Sequence, residues 1–218
     1  MLTKERRMHM NIFELRKFMA KLYEWEKTGK LPNTWDLKNM DSLSNLEFRD
    51  KFISKLGFAA INKKFIEVLN DEVIKNKKCL EIMAGTGALS KALYDLGIDV
   101  ISTDNLSWDD LESYQSWKSR SFNVEKLDCV KAIEKYGKDV DFIICSWPPY
   151  DEPQATQAII KMREVNPNCK MIYIGEDQGG CTADDDFFNN WKDVYEPEET
   201  NGCFERFYGL HDRIYVLN

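Results

Sequence analysis

The period of the apolar positions changes part-way along the chain. Between Asn11 and Lys27, Ile12, Leu15, Phe18, Met19, Leu22 and Trp25 recur at three- and four-residue steps, the period of one helix face. Thr28-Gly-Lys-Leu-Pro32 ends that helix. Leu43, Leu46, Phe52, Ile53 and Leu56 predict a second helix, and Ile61, Phe65, Ile66 and Leu69 a third. Residues 1–75 therefore read as a helical N-terminal extension or lid, with residues 76–218 as the main domain. From Cys79 onward, short apolar runs alternate with helical stretches. The pattern predicts strands at 79–83, 98–103, near 124–127, 140–146 and 169–174. Between them it predicts helices at 88–96, near 109–118, 128–136 and 153–164. Such alternation builds a parallel sheet covered on both faces. The tail breaks the rhythm, with a helix at 184–191 and two strands, Cys203–Tyr208 and Arg213–Leu217, expected as an antiparallel hairpin. The expected fold is α/β: doubly wound, mostly parallel and seven-stranded.

The first strand runs into the chain's most informative stretch, Cys79-Leu-Glu-Ile-Met-Ala-Gly-Thr-Gly-Ala-Leu-Ser-Lys-Ala-Leu93. A strand that passes through Gly85 and Gly87 into a helix brings bare backbone close to a ligand. The next apolar run closes on Asp104, at the distance expected of an acid that reads a ribose hydroxyl pair. A dinucleotide fingerprint wants a third glycine, and Ser90 stands there instead. The chain is expected to bind a nucleoside-containing cofactor without cradling a pyrophosphate.

Composition narrows the class. A length of 218 residues suits one domain with an elaboration, and 43% hydrophobic residues is ordinary for a globular protein. No apolar run approaches the roughly 18 residues of a membrane span, and the N-terminus lacks a signal-peptide apolar core. Six cysteines sit apart without a C-x-x-C pair; Cys79, Cys145 and Cys169 fall in or beside strand-like runs, which predicts core thiols, a cytoplasmic protein and no metal site. A net charge of −7 disfavours salt-driven binding to duplex nucleic acid, leaving such a substrate open only through a local basic groove.

Glu81-x-x-x-Gly85-x-Gly87 resembles motif I of class I S-adenosylmethionine (SAM) methyltransferases. Val140-Asp-Phe-Ile-Ile-Cys-Ser-Trp-Pro-Pro-Tyr150 is similar to the motif that follows the fourth strand of amino-methyltransferases, Asp/Asn/Ser-Pro-Pro-aromatic. Phe58-Ala-Ala-Ile-Asn62, Ile172 to Asp185 and His211-Asp-Arg213 look like one group of methyltransferase-like proteins that carries a Trp-Pro-Pro-Tyr motif. The resemblance covers residues 55–218 and implies a Rossmann-like fold with SAM as cofactor.

Site residues follow from these placements. Ala84, Gly85, Thr86 and Gly87 would form the cofactor turn, with Glu81 orienting it. Asp104, followed by Asn105, would accept from the ribose. Asp128, beside Cys129, falls where this fold reads adenine, although an Asp before Val130-Lys-Ala-Ile is equally a good helix N-cap. Ser146 and Pro148 would border the methyl, and Trp147 and Tyr150 suit a stacking or cation–π wall. Trp147 stands where the motif carries an acid or amide, and an indole has no hydrogen-bond acceptor. Glu176, after the fifth strand, suits a cationic or amino substrate or general-base work, and His211 is a candidate base. Thr182 or Asp184 would cap the 184–191 helix.

The expected activity is SAM-dependent methyl transfer to a nitrogen or oxygen of a small-molecule or amino-bearing acceptor. Two alternatives stand beside it: a SAM-binding module that contacts a partner without turnover, and an enzyme that cleaves SAM without an acceptor.

Overall fold

The computed structural model describes residues 12–110 and 120–218. Three helices come first: α1 (Ile12–Thr28), α2 (Ser42–Leu56) and α3 (Lys63–Leu69). Asp41 caps α2 by accepting from the Ser44 amide, and Asn62 caps α3 by accepting from the Phe65 amide. Strands β1 (Cys79–Ile82), β2 (Val100–Asp104), β3 (Glu125–Lys126), β4 (Phe142–Ser146) and β5 (Lys170–Gly175) follow. Their crossovers carry α4 (Ala88–Asp95), α5 (Cys129–Tyr136) and α6 (Gln154–Val165). Short helices α7 (Asp185–Asn189) and α8 (Glu198–Cys203) precede β6 (Arg213–Leu217). The helix expected near 109–118 lies largely outside the described residues.

The sheet order is β3-β2-β1-β4-β5-β6, with every pair parallel except β5–β6. Six strands form among the described residues, where seven were expected. Residues 203–208 are not a strand. Phe204 and Phe207 are buried, but they turn onto the helical layer: Phe204 meets Phe65 at 4.9 Å, and Phe207 meets Phe52 at 5.2 Å. β6 pairs instead with β5. On its other side, among the described residues, Tyr195 alone pairs with it, through one isolated antiparallel bridge at Val216.

Both sheet faces are buried, and alternate residues go to opposite sides. Cys79, Phe142, Ile144, Ile172, Ile174, Ile214 and Val216 join the core that Phe18, Leu22, Trp35, Phe48, Phe52 and Phe65 share. Leu80, Ile82, Ile143, Cys145, Met171, Tyr173, Tyr215 and Leu217 pack with α5, α6 and α7 through residues such as Ile133, Ile159, Met162 and Phe187. This two-sided burial explains why the strands read as nearly unbroken apolar runs. The N-terminal helices thus belong to one face of the sheet's own core. Glu205 reinforces that contact: its carboxylate accepts from the Trp35 amide at 2.6 Å, the Leu37 amide at 3.0 Å and the Asn62 side chain at 2.8 Å. Cys79, Cys145 and Cys169 are buried core thiols, and Cys181 is exposed. No described helix is long and apolar enough to cross a membrane.

Candidate nucleoside-binding site

At the carboxyl ends of β1, β2 and β4 lies a cavity of about 310 Å³, at the small end of the range for ligand sites. Open parallel sheets place ligands at this edge. The backbone here is held in uncommon conformations: Met83 (φ 53°), Leu106 (φ 57°), Trp147 (φ 51°) and Asp151 (φ 55°) are all left-handed without being glycine. Met83 follows β1, Leu106 follows β2, and Trp147 and Asp151 both lie in the loop after β4. Such conformations cost energy and concentrate at functional sites.

The β1 turn and the β2 acid are joined directly. Asp104, 3% exposed, accepts from the Gly85 amide through Oδ2 at 2.8 Å and from the Leu106 amide through Oδ1 at 2.7 Å. A carboxylate has about four acceptor sites, so both oxygens keep capacity for a further donor. Gly85 has φ 54°, which glycine adopts without strain.

Glu81, 2% exposed, is directed at the start of α4. Its Oε2 accepts from the Ser90 amide at 3.0 Å and from the Ser90 hydroxyl. Burial, opposed by the Ser90 hydrogen bonds and aided by the neighbouring Asp104 charge, pushes the Glu81 carboxyl up to about 7. Gly87 does not border the cavity. It has φ 74°, and a Cβ there would lie 2.7 Å from Val124 Cγ2 and 3.0 Å from Phe122 Cβ. The amide a phosphate would seek at Ser90 is already held by Glu81, and the flank at Gly87 is filled by side chains. The Gly85 and Ser90 amides are thus both committed within the protein, to Asp104 and to Glu81.

Of the residues singled out from sequence, Glu81, Ala84, Gly85, Thr86, Asp104, Asn105, Ser146 and Trp147 border the cavity. Asp128 does not. It caps α5, accepting from the Lys131 amide at 3.0 Å, with its other oxygen 3.2 Å from the Lys131 ammonium. Cys129 is buried beside it, its thiol donating to the Gln154 carbonyl at 3.7 Å. Pro148 is buried in the loop after β4, and Tyr150 on that loop is exposed; neither borders the cavity.

Trp147 is fixed from several directions. Its backbone amide donates to the Ile174 carbonyl at 2.8 Å. The indole Nε1 donates to Asp212 Oδ2 at 3.1 Å, and the ring stacks on Phe58 at 5.4 Å with an interplanar angle of 14°. Asp212 is 2% exposed, and its Oδ1 has no partner among the described residues. Burial pushes the Asp212 carboxyl up to about 6 against the opposing pull of Trp147 and Arg206.

Glu176 and His211 stand outside the cavity. Glu176 Oε2 accepts from the Cys181 amide and Oε1 from the His211 amide, both at 2.9 Å. Burial pushes this carboxyl up, but the hydrogen bonds from Cys181 and His211 outweigh it and hold it below the usual value. The His211 ring is 88% exposed, with Nδ1 3.8 Å from Glu176. Asp184 caps α7, accepting from the Phe187 amide, and Thr182 instead bonds Tyr173 and Glu176. Among the described residues, no group of three or more His, Cys, Asp or Glu is placed to hold a metal ion.

Several cavity residues lie outside the set that the sequence motifs single out. Leu56, Phe58, Ala59 and Ile61 come from the N-terminal part and roof the cavity, whereas Met83, Ser107, Trp108, Glu152 and Gln154 come from strand-end loops and α6. Phe58-Ala-Ala-Ile-Asn62 had a signal, the family likeness of that segment. Gln154 had none.

No protein-family model matches the chain, and neither does the sequence of any curated protein. Solved structures it is similar to include SAM-dependent methyltransferases. Human N-acetylserotonin methyltransferase in complex with SAM is 12% identical, with 92% of this chain and 66% of that one covered and a TM-score of 0.47. Magnesium protoporphyrin IX methyltransferase from Synechocystis, with bound SAM, is 13% identical, covering 80% and 96%, with a TM-score of 0.42. A SAM-dependent methyltransferase from Archaeoglobus fulgidus is 12% identical, covering 79% and 98%, with a TM-score of 0.42.

Proposed function

We propose that this protein binds SAM at the β1–β2–β4 edge and transfers its methyl group to a nitrogen or oxygen of a small-molecule or amino-bearing acceptor. One observation carries the reading: the turn after β1 offers a ribose acceptor, Asp104 locked to Gly85, while the Gly85 and Ser90 amides that a phosphate would seek are already held by Asp104 and Glu81. A nucleoside without phosphates fits that chemistry. SAM would supply a methyl group on an electrophilic sulfonium.

The chain's own contribution is positioning and exclusion of water. Asp104 and Asn105 hold the ribose side. Ala84, Gly85 and Thr86 pass beside the amino-acid side, with Glu81 supporting the turn. Ser146 and the stacked Trp147–Phe58 pair wall off the acceptor side, and the Leu56–Ile61 segment closes the roof as part of the N-terminal lid. Trp147 offers an aromatic face, not an acceptor atom, so substrate recognition there rests on stacking or cation–π contact. In this reading Tyr150 presents its ring from the outer side of the same loop. Glu176 and His211 strap the neighbouring loop.

Incubation with SAM and acceptor pools, read by mass spectrometry, tests the proposal. S-adenosylhomocysteine formed only with an acceptor supports transfer. SAM breakdown by the protein alone would replace transfer with cleavage. Tight binding without turnover would favour the binding module, a reading that the pinned Trp147 at the motif's acceptor position supports.

A further inference from the structure

The lining of the cavity is one-sided in charge. Glu81, Asp104 and Glu152 border it, and among the described residues no Lys, Arg or His does. Two of these carboxyls are committed to the turn after β1: Asp104 holds the Gly85 and Leu106 amides, and Glu81 holds Ser90. Glu152 is not. It is exposed, which puts it at the rim, and its carboxylate makes no hydrogen bond or ion pair among the described residues. The loop after β4 carries it together with Trp147.

The aromatic part of the wall points the same way. Trp147 and Phe58 both border the cavity and stack on each other at 5.4 Å. An indole has one N–H and no acceptor. Here that N–H is spent on Asp212, which is buried and does not border the cavity. Trp147 therefore offers a ligand only its π system, which attracts cations. An anionic group would meet three carboxyls with no cation to offset them, whereas a cationic group gains from the ring and from Glu152.

We infer that the acceptor is cationic: it carries an ammonium or guanidinium group that Glu152 binds at the rim, beside the Trp147–Phe58 pair. This rests on the SAM methyl-transfer reading proposed above. The charged group is not the atom that takes the methyl, because that atom needs a free lone pair. It anchors the acceptor while the reacting nitrogen or oxygen lies deeper. The recognition of a cation expected of Glu176 thus passes to Glu152, since both Glu176 oxygens accept from backbone amides and Glu176 does not border the cavity.

The test uses protein loaded with S-adenosylhomocysteine and three probes that share one ring: benzylammonium, benzyl alcohol and benzoate, which are positive, neutral and negative. Binding is read by ligand-detected NMR titration on wild type, Glu152→Gln and Asp151→Asn. Thermal unfolding and an S-adenosylhomocysteine titration show that each variant is folded and loaded. Wild type is expected to bind benzylammonium about tenfold more tightly than benzyl alcohol, with benzoate weakest. Glu152→Gln is expected to lose most of that preference. Asp151→Asn removes the same charge from the neighbouring exposed position, which does not border the cavity, and keeps it. A wild type that binds benzylammonium no better than benzyl alcohol, or not at all, overturns the cationic class. An unchanged preference in Glu152→Gln, or equal losses in the two variants, overturns the assignment to Glu152. The cofactor reading survives both results. No binding of S-adenosylhomocysteine by wild type overturns the cofactor reading and this inference together.

Discussion

Glu81 and Asp212 are carboxyls held out of water, and both are pushed up by burial, to about 7 and about 6. The sign of the consequence follows from linkage. Each folded-state value lies above the ordinary one, so between roughly pH 4 and 7 the folded state holds more protons than the unfolded chain, and stability falls as pH rises through that window. Glu81→Gln keeps an acceptor for the Ser90 amide and cannot ionise. It is expected to gain on wild type by up to ~3 kcal/mol between pH 4.5 and pH 8, read from urea unfolding across that range. Equal pH dependence in the two proteins would mean that Glu81 is not held away from water. At this scale the sequence was partly readable where a residue's partner is near in the chain: Asp184, one of two candidate caps for its helix, is the cap, and Asp128, expected to read adenine with a helix cap as the alternative, is a cap. It was silent where the partner is distant. Nothing in Trp147 announces a bond to Asp212, 65 residues on.

At the scale of elements, apolar period located β1, β2, β4, β5, β6 and the crossover helices, because most side chains of these strands and one face of each helix join the two cores. The period misled at 203–208. Phe204 and Phe207 are three residues apart, and both face the helical layer, while Glu205 between them turns to three donors of the N-terminal segment. That short apolar stretch satisfies its burial against helices and its polar needs through one carboxylate, with no sheet required. Glu205→Ala would leave two backbone amides and an Asn side chain without their acceptor. The expected cost is about 3 kcal/mol, read as a lowered urea midpoint. Removing the α5 cap with Asp128→Ala is expected to cost less, about 1 kcal/mol. A Glu205→Ala variant as stable as wild type would show that the carboxylate does not fasten the N-terminal helices.

Over the whole molecule, the cavity is assembled from segments far apart in sequence: a roof from residues 56–61, a floor from the β1 and β2 ends, and a wall from the loop after β4. The motif signal reached the floor and part of the wall. It could not reach the roof by chemistry, because Leu56, Ala59 and Ile61 are ordinary apolar residues whose role comes only from where α2 and α3 pack. The stacked Phe58–Trp147 pair joins roof to wall. Phe58→Ala, which opens that contact, is expected to weaken SAM binding by about tenfold, measured by calorimetry, with a smaller loss in stability. Unchanged affinity would remove the roof from the site.

The central claim is that Asp104 and the Gly85 turn hold the ribose of SAM, and calorimetric titration of wild type and Asp104→Ala with SAM and S-adenosylhomocysteine tests it most directly. Wild type is expected to bind both with dissociation constants on the order of 1 µM, and an Asp104→Ala protein that still unfolds cooperatively to lose about 100-fold or more. No binding by wild type, or equal binding by a folded Asp104→Ala variant, would contradict it.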